Sequence, residues 1–73
     1  MSTTSRTFDK TIYALAAIKD GMEAYQGLSK LELNTGDGGW TVTFADVDTD
    51  FRPEELASEF ANYVLAQTIE RRH

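Results

Sequence analysis

The chain has 73 residues, with seven basic and twelve acidic side chains, a formal charge of −5, 41% hydrophobic residues and no cysteine. That is enough for one small domain spanning 1–73, and it excludes disulfides and thiolate–zinc sites as its supplements. A phosphate-backbone binder needs a basic footprint, so the acidic balance argues against nucleic acid as a partner.

Cores of this size come close to zero once burial is set against chain entropy, and they gain from disulfides, metal or association. The only histidine is His73. Association is therefore the remaining supplement, either as a homodimer or with another protein. Met1–Ser5 is polar and lacks the charged head and apolar run of a secretion signal, and no stretch approaches the roughly 18 apolar residues of a membrane span. A cytoplasmic protein with no membrane partner is expected.

In chain order, the threonine-rich run 4–8 suits a strand, because β-branched side chains fit the pleated surface. Asp9 stands where a helix N-cap belongs, with Phe8 and Tyr13 as the two halves of a hydrophobic staple. The pattern predicts a helix over 10–26, with Leu15, Ile18, Met22 and Tyr25 as its apolar stripe and Gly27 ending it in the left-handed conformation. Ala14, Ala17, Gly21 and Ala24 flank the stripe and allow another element to come close. Residues 28–34 alternate, with Leu31 and Leu33 on one face and Lys30 and Glu32 on the other. After the glycine-dense turn 35–39, residues 40–45 alternate again, with Trp40, Val42 and Phe44 inward. The two runs form a β-hairpin.

The acidic connector that follows breaks this periodicity, and Pro53 then opens a helix over 53–71. Proline at the first helical position forgoes an N–H that has no partner anyway, and Glu54 and Glu55 favour the positive end of the dipole. Phe51 and Leu56 repeat the staple spacing, while Arg71, Arg72 and His73 suit the negative end. Leu56, Ala57, Phe60, Tyr63 and Val64 form the core face. Leu65 and Ile69 fall nearly opposite, with Asn62 and Ala66 beside them. This second apolar stripe meets a partner, the tail or water, and it makes Asn62, Leu65, Ala66 and Ile69 the candidate partner-binding residues.

The order strand, helix, strand, strand, helix predicts an α+β fold. Its three-stranded sheet, in order 1-3-2, carries both helices on one face, as in a ferredoxin-like domain lacking its last strand. The first strand is then an edge that Arg6 could blunt or a partner strand could fill.

Chemical motifs are weak. Asp46, Asp48 and Asp50 have the spacing of the first three ligands of a calcium loop, but Phe51 replaces the glycine at the sixth position and Ala57 the glutamate at the twelfth. The run reads as an acidic connector, with no metal expected. Gly36-Asp37-Gly38-Gly39 matches a Gly-x-x-Gly clamp for nucleic-acid backbone, yet it joins strands and carries Asp37, so a turn is expected. No nucleophile is paired with a base and no carboxylate pair has an apolar pocket, so neither catalytic nor cofactor-binding residues are assigned.

Phe60-Ala61-Asn62-Tyr63-Val64-Leu65 followed by Ile69 resembles the helix motif of the HxsD-like family, small accessory proteins of the His-Xaa-Ser system. In that motif a Phe-x-Asn precedes paired apolar residues and a further leucine. Ala17-Ile18 and Tyr25 ahead of the hairpin are similar to the family's first helix and sheet, and the chain departs at Gln67 and Glu70, where an aromatic and an arginine are expected. The resemblance implies a partner among radical-SAM enzymes and a ribosomal peptide substrate, served without chemistry of the chain's own, with Asn62 as the matched polar residue. The expected function is a small acidic, non-catalytic interaction module that docks through the last helix or the first-strand edge. The alternatives are a ligand-binding or enzymatic domain with Tyr13, Tyr25 and Tyr63 around a pocket between sheet and helices, and an acidic mimic with carboxylates gathered on one face.

Overall fold

The computed structural model describes residues 3–48 and 50–71. Its elements are β1 (Thr4–Asp9), α1 (Leu15–Tyr25), β2 (Lys30–Thr35), β3 (Gly39–Ala45) and α2 (Pro53–Arg71). The sheet is antiparallel in the expected order β1-β3-β2. Thr49 in the acidic connector, and Arg72 and His73 at the helix end, lie outside the described residues.

The first helix is shorter than the predicted 10–26, because Asp9 builds a turn instead of capping a helix. Its Oδ1 accepts hydrogen bonds from the Thr11 backbone N–H (2.7 Å) and hydroxyl (2.6 Å), and its carbonyl oxygen accepts the Ile12 and Tyr13 amides at 3.1 and 2.9 Å. Such local side-chain bonding competes with helix formation. The Thr11 hydrogen bonds hold the Asp9 carboxyl below the ordinary aspartate range. Ala14 is still extended, at φ −95° and ψ 134°, so the helix begins at Leu15 without a side-chain cap. The Phe8–Tyr13 contact forms nonetheless, edge to face at 5.1 Å.

Gly27 does not terminate α1 in the left-handed conformation. Gln26 continues in the right-handed region at φ −61°, the Leu28 amide bonds the Tyr25 carbonyl at 2.9 Å, and no described glycine has a positive φ. The second strand starts at Lys30 instead of residue 28, because Leu28 and Ser29 are tied to the connector. The Leu28 carbonyl accepts the Asp48 amide at 2.9 Å, and the Ser29 hydroxyl donates to the Ala45 carbonyl at 2.8 Å.

The register separates the two sheet faces. Thr4, Arg6 and Phe8 stand opposite Phe44, Val42 and Trp40, and Leu31 and Leu33 stand opposite Phe44 and Val42. Opposed residues share a face, so this is the side the helices cover. Its interior is filled by Phe8, Ile18, Val42, Phe44, Leu56, Phe60 and Val64, each at most 1% exposed. Phe60 is central, with its ring edge to face against Phe8 (5.8 Å), Tyr25 (5.5 Å) and Phe44 (5.1 Å). Trp40 is only half-buried, with the Lys10 ammonium 5.7 Å from its ring centre.

The small residues of α1 determine how closely the helices approach. Ala17 and Gly21 are buried, and a Cβ on Gly21 would lie 3.0 Å from a Phe60 ring carbon and 3.2 Å from a Val64 methyl. The other sheet face carries Ser5, Thr7, Glu32, Asn34, Thr41 and Thr43, with the Thr7 and Thr41 hydroxyls 3.1 Å apart. That face is polar and suited to water.

Candidate functional site

α2 lies along β1 and is tied to it at two points and to the segment that follows it at a third. An Arg6 Nη2 donates to the Ser58 hydroxyl at 3.1 Å, Phe8 packs on Phe60, and the Ala14 amide donates to the Thr68 hydroxyl at 3.3 Å. Thr68 is 2% exposed and extends the buried face past Val64. Sequence periodicity does not single it out, because a threonine in a helix pattern gives no apolar signal; only the extended Ala14 backbone creates a donor for it.

The four predicted partner-binding residues stand together on the outer side of α2. Asn62, Leu65, Ala66 and Ile69 are all exposed, Leu65 at 38% and Ile69 at 49%. Their offsets of three, four and seven from Asn62 place them on one helical face. Ile12, 48% exposed, follows β1 in the turn that the Ala14–Thr68 bond anchors to the same end of α2. Three of the four large apolar side chains that stay exposed among the described residues therefore belong to this end of the molecule. Leu65→Asp with Ile69→Asp should change stability by no more than the range of surface substitutions, about 0.5 kcal/mol, measured by thermal denaturation.

β1, the strand that α2 lies along, is an edge of the sheet. The Lys10 amide bonds the Gly38 carbonyl at 3.1 Å, one position beyond the Asp9–Gly39 pair. Hydrogen-bonded and non-bonded pairs alternate along an antiparallel ladder. Phe8, Arg6 and Thr4 therefore turn their N–H and C=O groups to β3, and Ser5, Thr7 and Asp9 turn theirs outward. The Asp9 carbonyl is taken by the following turn. The Ser5 and Thr7 groups face away from the sheet, where a further strand would pair.

The remaining candidates fall into structural roles. Tyr25 sits edge to face with Phe60 and with Tyr63 at 5.8 Å, while Tyr13 lies against Phe8. Burial, with lesser contributions from Glu59 and Tyr63, pushes the Tyr25 phenol above its ordinary value. Tyr63 borders a shallow hollow with Asp20, Glu23 and Ala24 that neither Tyr13 nor Tyr25 lines. A second, open hollow of about 590 Å³ runs along β2, between Met22, Gln26, Lys30, Leu31 and Glu32.

Asp46, the one described non-glycine residue at positive φ (50°), pairs with Lys30 at 3.5 Å, and Asp48 accepts the Asp50 amide at 3.0 Å. Those carboxylates shape the connector, and among the described residues no three carboxylate or imidazole groups converge as metal ligands. Asp20 pairs with Arg71 across the two helices. No described helix is long and apolar enough to cross a membrane. Compared with protein-family models, curated proteins and solved structures, the chain matches none.

Proposed function

We propose that this chain is a small acidic interaction module of the cytoplasm, without chemistry of its own, which docks a protein or peptide partner on the outer side of α2 and the edge of β1. The observations that carry the reading are Leu65 and Ile69, 38% and 49% exposed, on the helix that the Arg6–Ser58 bond ties to the edge strand of the sheet, and the outward-facing Ser5 and Thr7 backbone groups of that strand. An apolar stripe beside open backbone donors and acceptors offers a strand-bearing partner both side-chain burial and hydrogen bonds. The resemblance of Phe60–Leu65 and Ile69 to the HxsD-like helix motif directs the search for that partner to a radical-SAM enzyme and its ribosomal peptide substrate, with Asn62 as the polar group within the stripe.

The test is a titration of the chain against a radical-SAM enzyme, sought first among the genes beside its own. Burying Leu65 and Ile69 is worth about 1.5–3 kcal/mol each, so Leu65→Asp with Ile69→Asp should weaken binding by at least about tenfold. Equal affinity of wild type and double variant, or no such enzyme encoded nearby, would defeat the assignment.

A further inference from the structure

We propose that the Asp37–Gly38 step at the tip of the β2–β3 hairpin is a site of covalent self-modification, where the chain converts its own aspartate into isoaspartate through a cyclic imide. The reaction needs water and no partner, so it is independent of the docking reading above.

The chemistry selects the dipeptide. The backbone nitrogen after an aspartate attacks the carbon of the protonated side-chain carboxyl, forming an N–Cγ bond and closing a five-membered ring. The Cγ–OH bond breaks, and the hydroxyl leaves as water with the proton of the attacking amide. A water molecule then opens the imide at one of its two carbonyls. Cleaving the new N–Cγ bond restores aspartate. Cleaving the original main-chain bond instead leaves the next residue joined through Cγ and turns the former main-chain carbonyl into a free carboxylate. A side chain on the attacking residue hinders ring closure, and glycine has none. Of the six aspartates in the chain, only Asp20 and Asp37 precede glycine.

The fold separates these two. Asp20 and Gly21 lie inside α1, so the Gly21 N–H is bonded to the carbonyl four residues earlier and the Asp20 ψ is held near the helical value of about −42°. Ring closure needs a freed nitrogen and a different ψ. The Asp20 carboxylate is also paired with Arg71, and Gly21 is buried against Phe60 and Val64. Turning this step would break the helix and part it from α2.

Asp37–Gly38 has none of these restraints. Both residues are exposed and lie between the strands, outside any helix or strand. The Gly38 carbonyl accepts the Lys10 amide, but the Gly38 N–H donates to no group among the described residues. No ion pair or hydrogen bond among those residues holds the Asp37 carboxylate either. An added Cβ on Gly38 would meet nothing within 4 Å, so the step has room to turn. Nucleophile and electrophile in neighbouring residues then react without the entropy cost of an encounter.

The product falls where main-chain length matters. Isoaspartate adds one methylene to the backbone between residues 37 and 38. The Gly36 amide donates to the Gly39 carbonyl at 2.8 Å, the Lys10 amide reaches the Gly38 carbonyl at 3.1 Å, and Gly39 lies so close to the Phe8 carbonyl that no Cβ fits. A longer turn displaces Gly38 and Gly39 from β1. The isomer therefore loses the Lys10–Gly38 bond and loosens the end of β1 next to the Asp9–Thr11 turn.

The test incubates the full-length chain for several weeks at neutral pH and body temperature, then locates isoaspartate in its tryptic peptides by electron-transfer fragmentation. Cleavage at Lys30 puts the two aspartates on separate peptides. In the folded chain isoaspartate should form at residue 37 at least about tenfold faster than at residue 20, a barrier difference of about 1.4 kcal/mol. In denaturant the two rates should become comparable. Gly38→Ala, whose side chain the fold accommodates, should slow the reaction at residue 37 by at least about tenfold. The isomer, separated by reversed-phase chromatography and refolded, should melt below the unreacted chain and exchange its Lys10 amide faster. Equal rates at residues 20 and 37 in the folded chain, or a rate at residue 37 that Gly38→Ala leaves unchanged, would overturn the site. Rates that stay as unequal in denaturant would overturn the role of the fold, and an isomer that melts with the unreacted chain would overturn the consequence for β1.

Discussion

Phe60→Ala should lower the melting temperature by roughly 15–30 °C, because removing a buried phenylalanine costs about 3–5 kcal/mol and a domain of this size loses about 4–8 °C for each. The residue justifies the upper part of that range. Phe60 is fully buried and its ring meets those of Phe8, Tyr25 and Phe44, so it joins β1, α1, β3 and its own helix. Aromatic contacts of this geometry add about 0.5–1.5 kcal/mol beyond the area they bury. The surrounding groups also have little freedom to collapse into the vacated space, since Gly21 has no side chain to move and Val64 already lies against α1. A typical domain of 73 residues has only about 4–11 kcal/mol in total, so the variant would stand near the limit of folding. Thermal denaturation followed by circular dichroism measures it. A loss of under about 1 kcal/mol, the scale of an ordinary surface change, would show that Phe60 is not the centre of the core.

Gly39→Ala should be nearly as damaging, at about 3 kcal/mol, although only one methyl is added. A Cβ at residue 39 would fall on the Phe8 carbonyl oxygen and within 3.1 Å of its carbonyl carbon. Both belong to the β1 backbone, so no rotamer change relieves the overlap. β1 must move away from β3 at the Asp9–Gly39 pair, next to the turn that sets the start of α1. Its neighbour provides the control. Gly38 has nothing within 4 Å of an added Cβ and no positive φ, so Gly38→Ala should be neutral to within about 0.5 kcal/mol. Denaturant melts of the pair read the contrast directly, and equal stabilities would refute the close approach of β1 and β3.

These two positions also show which parts of the structure could be read from the sequence. Phe60 belongs to a run with helical spacing, and periodicity assigns it to the core with Leu56, Ala57 and Val64. The hairpin alternation likewise orders Val42 and Phe44 inward, and the strand order follows from connection rules. Gly39 reads only as one glycine in a turn, because the group that forbids a side chain there is thirty-odd residues away in sequence. Asp9 reads as a cap, since a carboxylate ahead of an apolar helical pattern serves a cap or an Asx turn equally well, and here Thr11 provides the turn. Thr68 is similarly hidden, as its burial depends on the Ala14 amide.

The second apolar stripe of α2 was legible for a negative reason. Once the core face of α2 is assigned, Asn62, Leu65, Ala66 and Ile69 remain, and they are exposed. What the sequence does not carry is the proximity of that stripe to the β1 edge, which depends on α2 lying along β1 and on the ladder alternation that turns Ser5 and Thr7 outward. The edge strand and the helix that carries the stripe come together only in the folded chain.

Amide hydrogen exchange, read residue by residue by NMR, tests that surface most directly. In dilute, unpartnered protein the Ser5 and Thr7 amides should exchange quickly while Arg6 and Phe8 are protected by their bonds to β3. On partner binding at this edge, Ser5 and Thr7 should become protected, while Leu31 and Leu33 on the opposite sheet edge stay unchanged. Association that protects the β2 edge and leaves Ser5 and Thr7 exchanging freely would contradict the account.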